Sequence, residues 1–347
     1  MMARGEQRLF TIPAHRAFAD ALVAGLLRRT RGDTMALARA LVLLPNNRAV
    51  RAVTDAFVRA SGAGLVLPRM VAIGDAEPDE RIGAAIDPLD DPLPIPPAIA
   101  PLARRMILAR LVGEARAVAG DPVDAAEAVR LAGSIAATLD QLLVEEVAPD
   151  ALMTIDLAEE LQGHWQRALS LFAEVMRRWP QELAQRGVID LATRRAQLLG
   201  RLIARWRTEP PAGLVCAGGI SSAAPVMARL LRAVAHLPGG LVVLPDLALS
   251  MPEPEWDALG PHGDRDQQRY KRPIETHPQY QLKLLLERMG FNRAEVALWR
   301  EGGGHDASAA RGRAIAHAFA PAEFTGKWTT LSAEERRLSN VRTIELA

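Results

Sequence analysis

The stretch Leu41-Val42-Leu43-Leu44-Pro45-Asn46-Asn47-Arg48 decides the fold. Four apolar residues in a row are too few for a helix, and a run without polar alternation reads as a strand covered on both faces. Pro45 cannot donate to a strand ladder, so it closes the run. Asn46 or Asn47 then offers a side-chain oxygen to the free amides of a helix start, and the apolar spacing that follows carries the helix to about Ala60. This unit recurs along the chain. Leu9 to Ile12 is closed by Pro13 and followed by helical spacing over Phe18 to Leu27. Leu65 to Ile73 holds a third strand candidate, interrupted at Pro68. Leu214 to Ala217 runs into the turn Gly218-Gly219 and a helix over Pro225 to Ala235. Leu241 to Leu244 is closed by Pro245. Buried strands alternating with helices predict an α/β fold with a parallel sheet.

Between these pieces, residues 101–207 are helical in pattern throughout. The segments are Leu102 to Ala119, Ala125 to Glu146, Leu157 to Arg186 and Leu191 to Arg207, with breaks at Gly120-Asp121-Pro122, Ala148-Pro149-Asp150 and Gly187. The simplest architecture is one sheet interrupted by a helical insertion. It divides the chain into a first α/β part (1–95), an inserted helical subdomain (96–208), a second α/β part (209–300) and a connector opening a further domain (301–347). Residues 246–280, with five prolines, read as loop apart from the helix beginning at about Gln281 and ended by Gly290. Gly302-Gly303-Gly304 reads as a flexible break, and Val341 to Ala347 as the start of a strand.

The chain has 347 residues, 49% hydrophobic and 24% charged, as expected of a globular protein with a sizeable core. Aromatics are 4%, which leaves Ala and Leu to build most of that core. Net charge is +1, but it is unevenly spread. Residues 1–60 balance at +6, and the proline-rich residues 61–100 at −5, which reads as an exposed linker. Only Lys271, Lys283 and Lys327 among 42 basic residues are lysines. Coding bias explains that excess of arginine, although the guanidinium is also the better fork for phosphate. The single cysteine, Cys216, excludes a disulfide framework and a four-cysteine metal or iron–sulfur site within these residues. No apolar run reaches the roughly 18 residues of a membrane span, and the first residues lack a signal peptide's apolar core, so a cytoplasmic protein is expected.

Chemistry is sparse. A phosphate-binding loop needs G-x-x-x-x-G-K-[ST] after the first strand, so that backbone amides and a lysine meet the phosphates. Thr11-Ile12-Pro13-Ala14-His15-Arg16-Ala17-Phe18 stands there instead, which argues against nucleotide hydrolysis. His15 and Arg16 remain as an anion contact at a helix start, or as an ordinary solvated turn. Asn46, Asn47 and Arg48 stand at the strand edge where open α/β sheets bind ligands, and suit a single-stranded DNA backbone; helix capping alone also explains the asparagines. Gly218, Gly219, Ser221 and Ser222 again join a strand to a helix. They suit a phosphate contact, and Ala223 spoils the G-x-S-x-G of a hydrolase elbow. His262, Asp264 and Asp266 share one loop but read as a hydrated loop rather than a cation site. Trp206 and Trp256 could stack on bases, while Trp165, Trp179 and Trp206 on helices also read as core.

The stretches LVLLPNNRAVRAVTDAFVRASGAGLVLPRMVAIGD (41–75), GLVCAGGISSAAPVMARLLRAVAHLPGGLVVLPDL (213–247) and HPQYQLKLLLERMG (277–290) resemble the AddB family, subunits of bacterial AddAB helicase–nucleases that process double-strand breaks. The resemblance lies in order and spacing rather than in one motif. It implies a superfamily 1 helicase-like (P-loop-type) core lacking the phosphate-binding (Walker A) loop, with an all-helical subdomain inserted. It also implies an AddA-type motor subunit as partner, which would use ATP. The family's iron–sulfur cluster and magnesium belong to a nuclease domain beyond these residues. The expected role is DNA binding and scaffolding without catalysis. Two other readings stay open: a stand-alone enzyme of a doubly wound α/β fold, and a pure interaction module.

Overall fold

The short apolar runs do become strands. A computed structural model describes residues 8–30, 33, 35–62, 64–74, 94–154, 159–262, 271–302, 309–330 and 332. Within them lie β1 (Leu9–Ile12), β2 (Leu41–Leu44), β3 (Arg69–Ala72), β4 (Val215–Gly218), β5 (Gly240–Pro245) and β6 (Ala297–Leu298). They form one six-stranded, all-parallel sheet in the order β3-β2-β4-β5-β1-β6. The strand closest to the amino terminus is thus not at an edge. Leu9 registers with Val242 on one side, and Phe10 with Ala297 on the other.

Right-handed crossovers fix the faces. The links from β1 to β2 and from β2 to β3 run toward the β3 edge, through α1 (Phe18–Arg29) and α2 (Asn47–Ala60) for these two steps respectively. Those from β4 to β5 and from β5 to β6 run the opposite way, through α7 (Pro225–His236) and then α9 (Tyr280–Met289). Helices therefore cover both faces, as a parallel sheet needs. Strand side chains alternate accordingly. Val42, Leu44, Cys216 and Val243 join the core beneath α1 and α2 with Leu22, Leu26, Val53 and Phe57.

A feature not anticipated from sequence completes this core. Trp299, just after β6, is fully buried. Its backbone N–H donates to Thr11 O at 2.9 Å, and its indole Nε1–H to Ala21 O at 2.8 Å. Phe10 meets it edge-on at 5.1 Å, and the Arg29 guanidinium lies 4.1 Å above its ring. The indole fills a notch in α1 at Gly25, where a Cβ atom would stand 2.0 Å from the ring.

The second compact unit, Gly83–Leu202 with Ala224–Val226, is helical. It contains α3 (Pro101–Val118), α4 (Ala125–Val144), α5 (Glu159–Arg186) and most of α6 (Leu191–Thr208). The first unit comprises Met1–Ile82, Ile203–Ala223 and Met227–Ala347. The helical core joins Leu108, Leu111 and Val112 of α3, Ala132 and Leu139 of α4, and Phe172, Val175 and Trp179 of α5. Beside it, Trp179 Nε1–H donates to the buried Asp190 carboxylate at 2.9 Å, and Arg104 Nε lies 3.0 Å from the same group. Arg104 also pairs with Asp140 at 2.8 Å. Burial pushes the Asp190 carboxyl above its ordinary value, although Trp179 and Arg104 both pull it down.

Two stretches differ from expectation. Within 246–280, read as loop, Glu253–Ala258 forms a short helix, α8. Pro252 precedes it, Glu253 and Glu255 occupy its first turn, and Trp256 anchors it by burial. Downstream, the expected second α/β part ends in a further strand, β6, that was not singled out, and α10 (Ala309–Ala318) and a 3-10 stretch over Ala322–Thr329 lie where a connector opening a further domain was expected. A two-residue strand is too short to leave a periodic signal. The strand expected at Val341 to Ala347, most of the acidic linker, and the loop with Asp264 and Asp266 lie outside the described residues.

Two outcomes follow from this packing. Gly25→Ala should destabilise the sheet unit by about 1–3 kcal/mol, because the indole must yield to the new methyl. Adding Trp299→Phe should recover part of that loss in a double-mutant cycle read by urea denaturation. Trp179→Phe should cost about 1–3 kcal/mol by leaving a buried carboxylate short of a donor. The sign with pH follows from the carboxyl: its folded value is already raised, and losing a donor to the charged form raises it further. The penalty should therefore grow as pH rises through the folded value and shrink in acid, which a series of thermal melts across the acid range would read.

Candidate nucleic-acid interface

All six strands point the same way, so every strand-to-helix turn opens on one sheet edge. β2 and β4 are neighbours, with Leu43 opposite Ala217. Their crossovers leave in opposite directions, which makes the gap between their ends a switch point of the kind where open sheets bind ligands. Asn46, Asn47 and Arg48 follow β2 there; Gly219, Ser221 and Ser222 follow β4. The structure thus brings these two groups of sequence-selected residues together.

Each has a local structural cause. Asn46 is the N-cap of α2, its side chain accepting Ala49 N–H at 2.9 Å. Asn47 opens the helix, and Arg48, next to it, is exposed. The helix start favours an anion, and Arg48 adds a mobile full charge to it. Gly218 ends β4 against α1, where a Cβ would meet the Leu22 side chain at 2.9 Å. Gly219 takes a φ of +75°, and its missing Cβ leaves room for the Phe18 ring. The glycines are thus explained by packing, whereas Ser221 and Ser222 are exposed beyond them.

His15 and Arg16 sit on the same edge but elsewhere. β1 is separated from β2 by β5 and β4, which at strand spacing is about 14 Å. Arg16 Nη2 donates to Glu301 O at 2.6 Å, and Nη1 donates to Trp299 O. Its guanidinium is spent on tying the first turn to the chain after β6.

A second place on this edge lies at the ends of β1 and β5, whose crossovers run past each other rather than apart. The loop after β5 is held by two buried polar side chains that sequence reading passed over. Thr11 Oγ1 donates to Leu244 O at 3.2 Å and accepts Leu247 N–H at 2.9 Å. Gln279 donates to Asp246 O and accepts Ala248 N–H, both at 2.8 Å. Asp246 itself has a φ of +47°, and its carboxylate accepts Ala14 N–H at 3.0 Å. It is open to solvent at the loop's surface, yet the surrounding protein still pushes its carboxyl up, against the pull of Ala14 N–H and His15. His277 Nδ1 accepts Gln279 N–H at 3.1 Å while Nε2 faces Phe319 O at 2.8 Å, so Nε2 carries the hydrogen. Burial lowers its affinity for a second proton.

Trp206 and Trp256 are both buried. The Trp256 ring has Arg293 at 4.7 Å and Lys283 at 5.3 Å from its centre. Neither indole offers a free face for a base. Cys216 is buried in β4, and its thiol is pushed up to about 12 by desolvation, which leaves it unreactive. Among the described residues no three His, Cys, Asp or Glu side chains converge as a metal site would require. No helix among them is long and apolar enough to cross a membrane.

Thr11→Val should leave Leu247 N–H buried without an acceptor and cost about 1–3 kcal/mol in urea denaturation. Amide exchange should accelerate locally over residues 246–251, and unchanged exchange there would show that the hydroxyl does not hold the loop.

No protein-family model matches the chain, and no curated protein matches it.

Proposed function

We propose that this chain is a non-catalytic, single-stranded-DNA-binding and scaffolding region of a bacterial break-processing helicase–nuclease of the AddAB kind. One observation carries the reading: the ends of adjacent strands β2 and β4 bring Asn47, Arg48, Ser221 and Ser222 to one sheet edge, beside the amino terminus of α2. Backbone amides, hydroxyls and an exposed arginine are the groups that hold a phosphodiester chain without reading its bases. The sheet is then a superfamily 1 helicase-like core without its phosphate loop. The turn after β1 supports that reading: it has neither glycine nor lysine, and its arginine is bonded to carbonyl oxygens. Nothing there forms an amide nest around a terminal phosphate.

The partner in this reading is an AddA-type motor subunit, which supplies ATP hydrolysis in the cytoplasm. Magnesium and the iron–sulfur cluster belong to the complex's nuclease domain. Exposed Leu102 and Met106, four residues apart on α3, favour the helical unit as a docking surface.

Arg48→Ala should weaken binding to all single-stranded sequences alike and lower the slope of log affinity against log salt by about one unit, the mark of one lost phosphate contact. Fluorescence anisotropy with a labelled oligonucleotide at several salt concentrations measures both effects. A parallel phosphate-release assay should stay at background with and without DNA. DNA-stimulated release by the purified chain would overturn the non-catalytic assignment.

A further inference from the structure

The crevice between the ends of β1 and β5 shares no lining residue with the proposed DNA site and has a different chemistry. It encloses about 520 Å³, within the range of small-molecule sites. Its walls are mostly apolar, and four of them are large side chains that remain open to water: Leu249, Leu298, Ile315 and Phe319 are 37%, 46%, 43% and 52% exposed. Isolated exposed apolar residues need no explanation, but four lining one concavity mark a surface that something covers.

The polar groups in the crevice are mostly committed. The Arg16 guanidinium donates to the carbonyls of Trp299 and Glu301. Gln279 uses both ends of its amide on the loop after β5. His277 has a partner at each ring nitrogen. Asp246 is different. One carboxylate oxygen accepts Ala14 N–H, and the group stays accessible at the crevice mouth. Its left-handed backbone is fixed by Gln279, which accepts Ala248 N–H and donates to Asp246 O. The site therefore presents a held carboxylate beside an apolar pocket, and the Arg16 guanidinium in the same wall is bonded to two carbonyl oxygens rather than to that carboxylate. The open carboxylate attracts a cationic donor.

We propose that this crevice binds a small, compact apolar molecule carrying one protonated amine or amidinium, the cation donating to Asp246 and the apolar body lying against Leu249, Leu298, Ile315 and Phe319. A charge-assisted bond beside an apolar contact gives both affinity and orientation. The inference stands apart from the DNA reading, since it uses neither Arg48 nor the β4 turn.

Benzamidine, benzyl alcohol and benzoate are similar in size and differ in charge, so they separate the two contributions. Calorimetry and thermal shift with the full chain should show saturable binding of benzamidine at millimolar concentration, at least about tenfold tighter than benzoate. Asp246→Asn keeps an acceptor for Ala14 N–H and tolerates the left-handed backbone, so it should fold normally. It should bring benzamidine down to the level of benzyl alcohol. Phe319→Ala should weaken benzamidine and benzyl alcohol together. Equal binding of benzoate and benzamidine, benzamidine binding unchanged by Asp246→Asn, or no saturable binding of any of the three would overturn the proposal.

Discussion

The fold depends on holding β1 between β5 and β6. β1 comes first in sequence, yet its ladder partners are Val242 to Pro245 on one side and Ala297 and Leu298 on the other. A parallel neighbour always requires a crossover, and here each crossover spans a large part of the chain. Closing such long loops costs entropy that local contacts do not return. Trp299 and Thr11 offset it at the point of closure. The indole bridges β6 to α1 through Ala21 O and the Gly25 notch, while the threonine hydroxyl ties β1 to the chain leaving β5. Both are fully buried, so each hydrogen bond forms out of competition with water.

That closure also creates two distinct places on one sheet edge. Strands β2 and β4 carry short turns whose first job is local: Asn46 caps a helix, and Gly219 permits a left-handed turn against Phe18. In the proposed reading, the DNA contacts are Arg48, Ser221 and Ser222, just beyond these structural residues. Strands β1 and β5 instead carry turns tied to each other through Ala14 and Asp246, with Gln279 bracing the second turn. The first place presents an arginine after β2 and the second a carboxylate after β5, about 10 Å apart at strand spacing with β4 between them. The proposed anion site and the proposed cation site thus share a single edge.

The helical unit follows a different rule. Its three packed helices are local in sequence and need few long closures. Its distinctive feature is polar: Asp190 is buried against Trp179 and Arg104, where desolvation pushes its carboxyl up and the two donors pull it down. A buried carboxylate of this kind fixes geometry more than it adds stability.

Much of the architecture was legible in the sequence, for a physical reason. Strands buried on both faces must be apolar throughout, so Leu9 to Ile12, Leu41 to Leu44, Val215 to Gly218 and Gly240 to Pro245 show themselves as short apolar runs closed by proline or glycine. The helical segments announced themselves by spacing, and Asn46 by its capping position. Strand order left no such trace, because a parallel strand reads the same whichever neighbour it pairs with. β6 was invisible since two residues carry no period, and α8 was hidden among prolines that the structure places before and within its first turn. Trp299 gave no signal as a core residue, since its notch at Gly25 exists only once α1 and β6 have met. The same holds for the candidate sites. Sequence placed Asn46 to Arg48 and Gly218 to Ser222 at strand ends, but only pairing of β2 with β4 made them neighbours. Asp246 became part of a site only because Ala14, 232 residues away in sequence, was brought to the end of the adjacent strand β1.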